Sequence, residues 1–218
     1  PLTEYTPTAK ASIAWQKSVG KRSPIGFAPL IRDGVVYSAS TNGQVVAAQL
    51  PAGQERWRVS LKEALSAGVG AGESGVYVGT RKGEVVALDL AGNERWRSAV
   101  SSEILVAPQA TDGVVVVRTV DGRIVGLNES DGKRRWLQQR TNPPLILRNV
   151  GQVAASEGLI YAGMPGGRLM AARADDGALA WETFVSQPRG STELERIADV
   201  VGEPVLDGER VCAVSYQG

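Results

Sequence analysis

The apolar residues of this chain are gathered in short runs rich in Val, Tyr, Ala and Leu, and glycine-bearing turns cut each run from the next. In the stretch that ends at Trp57 the turns are Asp33-Gly34, Asn42-Gly43 and Ala52-Gly53, residue pairs that tolerate the positive φ of tight hairpins. This pattern predicts four antiparallel strands of about six residues each. The second and third, VVYSA and VVAAQ, are apolar on both faces, so such a small sheet needs cover on both sides.

The cover is available from copies of the same unit. Tryptophans stand at Trp15, Trp57, Trp96, Trp136 and Trp181, spaced by 42, 39, 40 and 45 residues. The text between them aligns as DGVVYSASTNGQVVAAQLPAGQERW (33–57), SGVYVGTRKGEVVALDLAGNERW (74–96), DGVVVVRTVDGRIVGLNESDGKRRW (112–136) and EGLIYAGMPGGRLMAARADDGALAW (157–181), and DGERVCAVSYQG (207–218) begins another copy. A four-stranded unit of about 40 residues, buried on both faces and repeated in tandem, predicts an all-β fold, a β-propeller of four-stranded antiparallel blades. A solenoid fits less well, because its repeats are shorter and carry fewer strands. The expected layout is one propeller over 1–218, with a lone outer strand at 12–19, blades at 24–60, 65–99, 103–139 and 145–185, and an incomplete blade at 199–218. Such a layout reads as a fragment of a closed ring. Each tryptophan falls on the fourth, outermost strand, where its indole is expected to pack between blades. The arginines beside three of them, in ERWRV, ERWRS and RRW, are expected to keep that outer edge from pairing with other chains.

Composition removes several classes of function. The 218 residues include no histidine, so Ser-His-Asp and Cys-His catalysis cannot operate on this chain. The single cysteine, Cys212, rules out an intrachain disulfide and a structural zinc site built from cysteines. Lys plus Arg number 24 against 23 Asp plus Glu, a balance that favours no nucleic acid or anionic membrane partner. No window reaches the ~18 apolar residues of a membrane-spanning helix, and Pro1 opens into polar sequence without a charged-then-apolar leader.

The segments VVALDLAGNERW and IVGLNESDGKRRW resemble the repeat of quinoprotein-type propellers, a class that holds PQQ-dependent dehydrogenases and non-enzymatic relatives. Two further segments, LILR (145–148) and GSTELERIADV (190–200), resemble the BamB family, the lipoprotein subunits of the β-barrel assembly machinery, and the similarity runs across nearly the whole chain. The resemblance implies an eight-bladed periplasmic propeller, tethered to the outer membrane by a lipidated N-terminal cysteine that lies outside this chain. It implies a non-catalytic scaffold without cofactor that binds the POTRA domains of BamA, with nascent outer-membrane proteins as clients. The family's contact residues match Leu145, Leu147 and Arg148 in the first segment and Asp199 in the second, while a second acidic position falls at or near Val201.

Spacing in the chain points to the same two segments. The run from turn glycine to tryptophan is 23, 21, 23 and 23 residues, nearly invariant, whereas the run from tryptophan to the next turn glycine is 19, 18, 17, 22 and 27. The two longest connections contain LILR and GSTELERIAD, and in a propeller all such crossovers open on one face, where repeat proteins bind partners. Leu145 and Leu147 are two residues apart and share one side of an extended segment, either toward the next blade's core or, after the Asn142-Pro143-Pro144 break, in a projecting loop. Arg148 beside exposed leucines has the composition of an interface hot spot. Ser191 or Thr192 followed by Glu195 fits a capping pattern for a short helical turn. The rival readings are a PQQ-dependent dehydrogenase fragment, which would need a calcium site and in many members adjacent cysteines, and a generic WD-type peptide-binding propeller, whose Gly-His and Trp-Asp pairs are missing.

Overall fold

The computed structural model describes residues 11–21, 26–141, 143–147 and 151–216. The first sheet comprises β1 (Leu30–Arg32), β2 (Val35–Ala39), β3 (Gln44–Gln49) and β4 (Gln54–Ser60). The second comprises β5 (Leu65–Ala71), β6 (Val76–Thr80), β7 (Glu84–Leu88) and β8 (Glu94–Ala99). The third holds β9 (Gln109–Thr111), β10 (Val114–Arg118), β11 (Arg123–Asn128) and β12 (Arg134–Gln139), and the fourth β13 (Val153–Ser156), β14 (Leu159–Met164), β15 (Arg168–Arg173) and β16 (Leu179–Phe184). A two-stranded sheet of β17 (Val200–Asp207) and β18 (Arg210–Ser215) follows. Each four-stranded sheet is an antiparallel meander with its strands in chain order.

Local chemistry sets the hairpins. At the first turn of the first, third and fourth sheets the two central residues both take positive φ: Asp33 (49°) with Gly34 (73°), Asp112 (49°) with Gly113 (71°), and Glu157 (51°) with Gly158 (74°). This is the type I′ geometry whose twist matches that of paired strands.

Strand periodicity then divides each sheet between two cores. Val35, Tyr37 and Ala39 of β2 pack with Val76, Val78, Val86 and Leu88 of the second sheet. The intervening residues of that sheet, Tyr77, Val85 and Ala87, face the other way, against Val115, Val117, Val125 and Leu127 of the third. Val114, Val116 and Ile124 in turn meet Ile160, Ala162, Met170 and Ala172 of the fourth. Consecutive sheets therefore stack face to face as propeller blades. Burial of each such Val, Leu or Ile contributes about 1.5–3 kcal/mol, and a blade taken alone would lose half of it.

The tryptophans fasten one blade to the next. Trp57 donates its indole N–H to the Leu90 carbonyl at 2.8 Å, Trp96 to Glu129 at 2.9 Å and Trp136 to Ala174 at 2.8 Å, each acceptor lying in the β3–β4-type turn of the following sheet. A glycine in each turn, Gly92, Gly132 or Gly177, lies under the ring so closely that a Cβ there would fall within 3 Å of it. Beside Trp57, Trp96, Trp136 and Trp181 the outer ladder shifts register, between Ala47/Ala48, Ala87/Leu88, Gly126/Leu127 and Ala171/Ala172. At Trp57, Trp96 and Trp136 the bulged outer strand carries an indole that reaches the neighbouring blade.

Two expectations need correction. Residues 12–19 form no ladder, because no third strand lies beside them among the described residues; instead Trp15 packs on Gly53 and Lys17 pairs with Glu55 at 3.3 Å. Trp181 rests against Tyr161 of its own sheet at 6.0 Å and is 37% exposed here, where the sheet that follows comprises only β17 and β18 among the described residues and so has no third-to-fourth-strand turn to set over it. The flanking arginines do more than guard the edge. Arg95 reaches Ser74 Oγ at 2.8 Å and, in the next sheet, the Ser130 carbonyl at 3.3 Å.

Candidate interaction face

In all four meanders the turn between second and third strands and the crossover to the next sheet lie at the same end, since β4-type strands finish beside the start of β3-type strands. The crossovers 140–152 and 185–199 are the longest, and they come together beside the fourth sheet. Their meeting point is Asp199. Its carboxylate is 1% exposed, and its two oxygens accept the backbone N–H of Leu147 at 2.7 Å and of Gly166 at 2.9 Å. One side chain from the second crossover thus holds both the first crossover and the β14–β15 turn. Asp199 belongs to the face as an internal tie that offers no carboxylate to solvent.

Leu145 is 39% exposed after the Pro143-Pro144 break, and Leu147 is half-buried beside Asp199. Leu145 therefore projects, and the alternative in which both leucines enter the core is not adopted. Arg148 lies outside the described residues. Val201 is half-buried in β17.

The second crossover forms the capping arrangement but only one turn. Glu195 Oε2 accepts the N–H groups of Ser191 at 2.7 Å and Thr192 at 3.0 Å, Thr192 Oγ1 accepts Glu195 N–H at 3.3 Å, and the N–H groups of Arg196 and Ile197 follow onto the carbonyls of Thr192 at 3.2 Å and Leu194 at 3.3 Å. These bonds hold the Glu195 carboxyl below its ordinary range, chiefly the backbone N–H of Thr192. Between the two crossovers opens a cavity of about 570 Å³ whose wall includes Pro143, Met164, Phe184 and Pro188. Glu182 at its side pairs with Arg140 at 3.2 Å and with Arg168, whose guanidinium lies 4.6 Å from the centre of the Phe184 ring.

The residue that sequence reasoning missed is Arg118, at the end of the otherwise apolar strand VVVVR. It is 2% exposed and donates to the carbonyls of Gly151, at 2.9 Å, and Gly163. Burial pushes its guanidinium down to about 10, and the Asp199 carboxylate opposes that shift. A charge closing an all-valine run was the available signal, since buried charge demands a partner.

The family described as outer membrane protein assembly factor BamB matches residues 41–218. The chain belongs to the BamB family. It is 42% identical over 217 residues to the outer membrane protein assembly factor BamB of Bordetella pertussis, covering 100% of this chain and 56% of that protein. The chain thus spans about half the length of the curated relatives it matches. Among solved structures, BamB from Moraxella catarrhalis superposes with a TM-score of 0.81 at 26% identity, covering 88% of this chain and 58% of that one. A quinohemoprotein alcohol dehydrogenase from Comamonas testosteroni superposes with a TM-score of 0.63 at 16% identity, over 88% of this chain and 39% of that one, a likeness of fold alone. The assembly factors of Bordetella pertussis and Burkholderia pseudomallei share sequence with this chain over its whole length and carry the BamB name, whereas the likeness to the quinohemoprotein dehydrogenase is one of fold.

Proposed function

We propose that this chain is part of a non-catalytic scaffold subunit of the β-barrel assembly machinery, and that it binds the POTRA domains of BamA through the joined crossovers. In the whole protein this face would work at the periplasmic side of the outer membrane, held there by an N-terminal lipid anchor, and would support folding and insertion of outer-membrane proteins. One observation carries the reading: Asp199 ties the two longest crossovers into one surface from which Leu145 projects. An exposed leucine on a restrained loop, with Leu147 and Arg148 two and three positions further along the sequence, offers an apolar anchor within a segment that also carries a cation. Restraint matters because a loop ordered before binding loses less entropy on binding.

Capture of the full-length protein on immobilised POTRA domains from the same organism tests the reading. Leu145→Glu and Arg148→Glu should each weaken capture about tenfold or more, as hot-spot changes do, with an unchanged melting temperature. Capture equal to wild type in both variants removes this face from consideration.

A further inference from the structure

Arg118 and Asp199 stand on either side of the fourth sheet, one closing β10 of the third sheet and the other ending the crossover that follows β16. Both are buried, at 2% and 1% exposure, and each is directed at the foot of the LILR crossover. Arg118 holds the Gly151 carbonyl, while Asp199 holds the Leu147 N–H. Gly151 and Gln152 also donate their N–H groups to the carbonyls of Val200 at 3.1 Å and Gly202 at 2.9 Å. The crossover is therefore gripped by opposite charges from the blades before and after it. The Asp199 carboxylate also acts on the Arg118 guanidinium through space, opposing the effect of its burial.

We propose that Arg118 is a positioning residue of the partner-binding face, fixing the foot of the LILR crossover against the Asp199 tie so that Leu145 and Leu147 are presented in one arrangement. The physical reason is that a buried charge tolerates few alternatives. If the crossover shifts, Arg118 loses the Gly151 carbonyl and Asp199 the Leu147 N–H, and each charge keeps only its partner at the fourth sheet, Gly163 or Gly166, in a dry interior. A neutral side chain at either place would let the loop wander at little cost. Arg118 Nε has no acceptor among the described residues, while Nη1 reaches both Gly151 and Gly163. The inference rests on the proposed function only for what the face binds.

The test uses the full-length protein carrying Arg118→Met, Arg118→Lys or Leu145→Glu, and the double variant Arg118→Met with Leu145→Glu. Two readouts are needed: partner-free hydrogen exchange at the amides of Leu147, Gly151 and Gln152, and capture on POTRA domains. Arg118→Met should speed exchange at those amides about tenfold or more while amides of β2 and β3 stay protected. It should weaken capture by about tenfold, with Arg118→Lys in between, and the double variant should bind little worse than Leu145→Glu alone, because contacts that act together do not add. Should Arg118→Met fail to fold, the lysine variant carries the same comparison. Unchanged exchange at the three amides overturns the proposal, as does faster exchange with intact capture in a protein whose capture Leu145→Glu abolishes. Faster exchange with capture intact in every variant leaves Arg118 as the loop's anchor and instead refutes the partner assigned to this face.

Discussion

Replacing Trp96 and Trp181 by alanine, one at a time, separates fastening between blades from packing within one. The two residues occupy the same place in the repeat, but Trp96 is 9% exposed and Trp181 37%. On a side chain that can bury roughly 150–250 Å², that gap is on the order of 55 Å², or about 1.5 kcal/mol at ~25 cal/mol per Å². Trp96→Ala also strips the Glu129 carbonyl of its indole donor, whereas Trp181 N–H has no acceptor among the described residues. An orphaned buried acceptor adds about 1–3 kcal/mol. Trp96→Ala should therefore cost about 3 kcal/mol more than Trp181→Ala. In urea, with a slope of about 3 kcal/mol per M for a domain of this size, the midpoint should fall about 1 M further. Far-UV circular dichroism is the probe of choice, since each substitution removes a different one of the five tryptophans that fluorescence would average. Equal midpoints would show that the indole-to-turn contact adds nothing beyond the packing inside each sheet.

The turn glycines and one buried carboxylate extend the same reasoning. Gly113→Ala (φ 71°, with nothing within 4 Å of a new Cβ) should cost about 1 kcal/mol for left-handed backbone alone, while Gly92→Ala (φ 90°) sets a Cβ 2.9 Å from Trp57 and should cost at least that much again; thermal melts of the two variants decide, and equal losses refute the close approach. For Glu129, burial alone would raise the carboxyl, but hydrogen bonds from the Tyr77 hydroxyl at 2.7 Å and from Ser74, with Arg95 nearby, hold it below its ordinary range. A folded value below the unfolded one means stability that is complete above the ordinary glutamate value of about 4.3 and lost as pH falls through the folded value. Glu129→Gln should lower the melting temperature at neutral pH and flatten its decline on acidification below that value, and parallel acid limbs in both proteins would refute the assignment.

Much of the fold was legible in the chain because its causes are local. Doubly apolar runs such as VVYSA and VVAAQ require sheets covered on both sides, and the Asp33-Gly34 and Asp112-Gly113 pairs between strand-forming runs take the type I′ hairpin. The recurrence of Trp57, Trp96 and Trp136 at fixed distance from a turn glycine identified the blades, and the lengthened crossovers marked where an interaction face would form. Tertiary structure decided what fills that face. Whether Asp199 meets solvent or is buried depends on the Leu147 N–H, 52 positions away, and Arg118 finds its acceptor 33 positions away. No periodicity in the text encodes such meetings, because they arise only when blades three, four and five are stacked. The same holds for Trp15 and Trp181: both share the repeat's signature, yet whether an indole is sealed depends on the turn that a neighbouring sheet does or does not place over it.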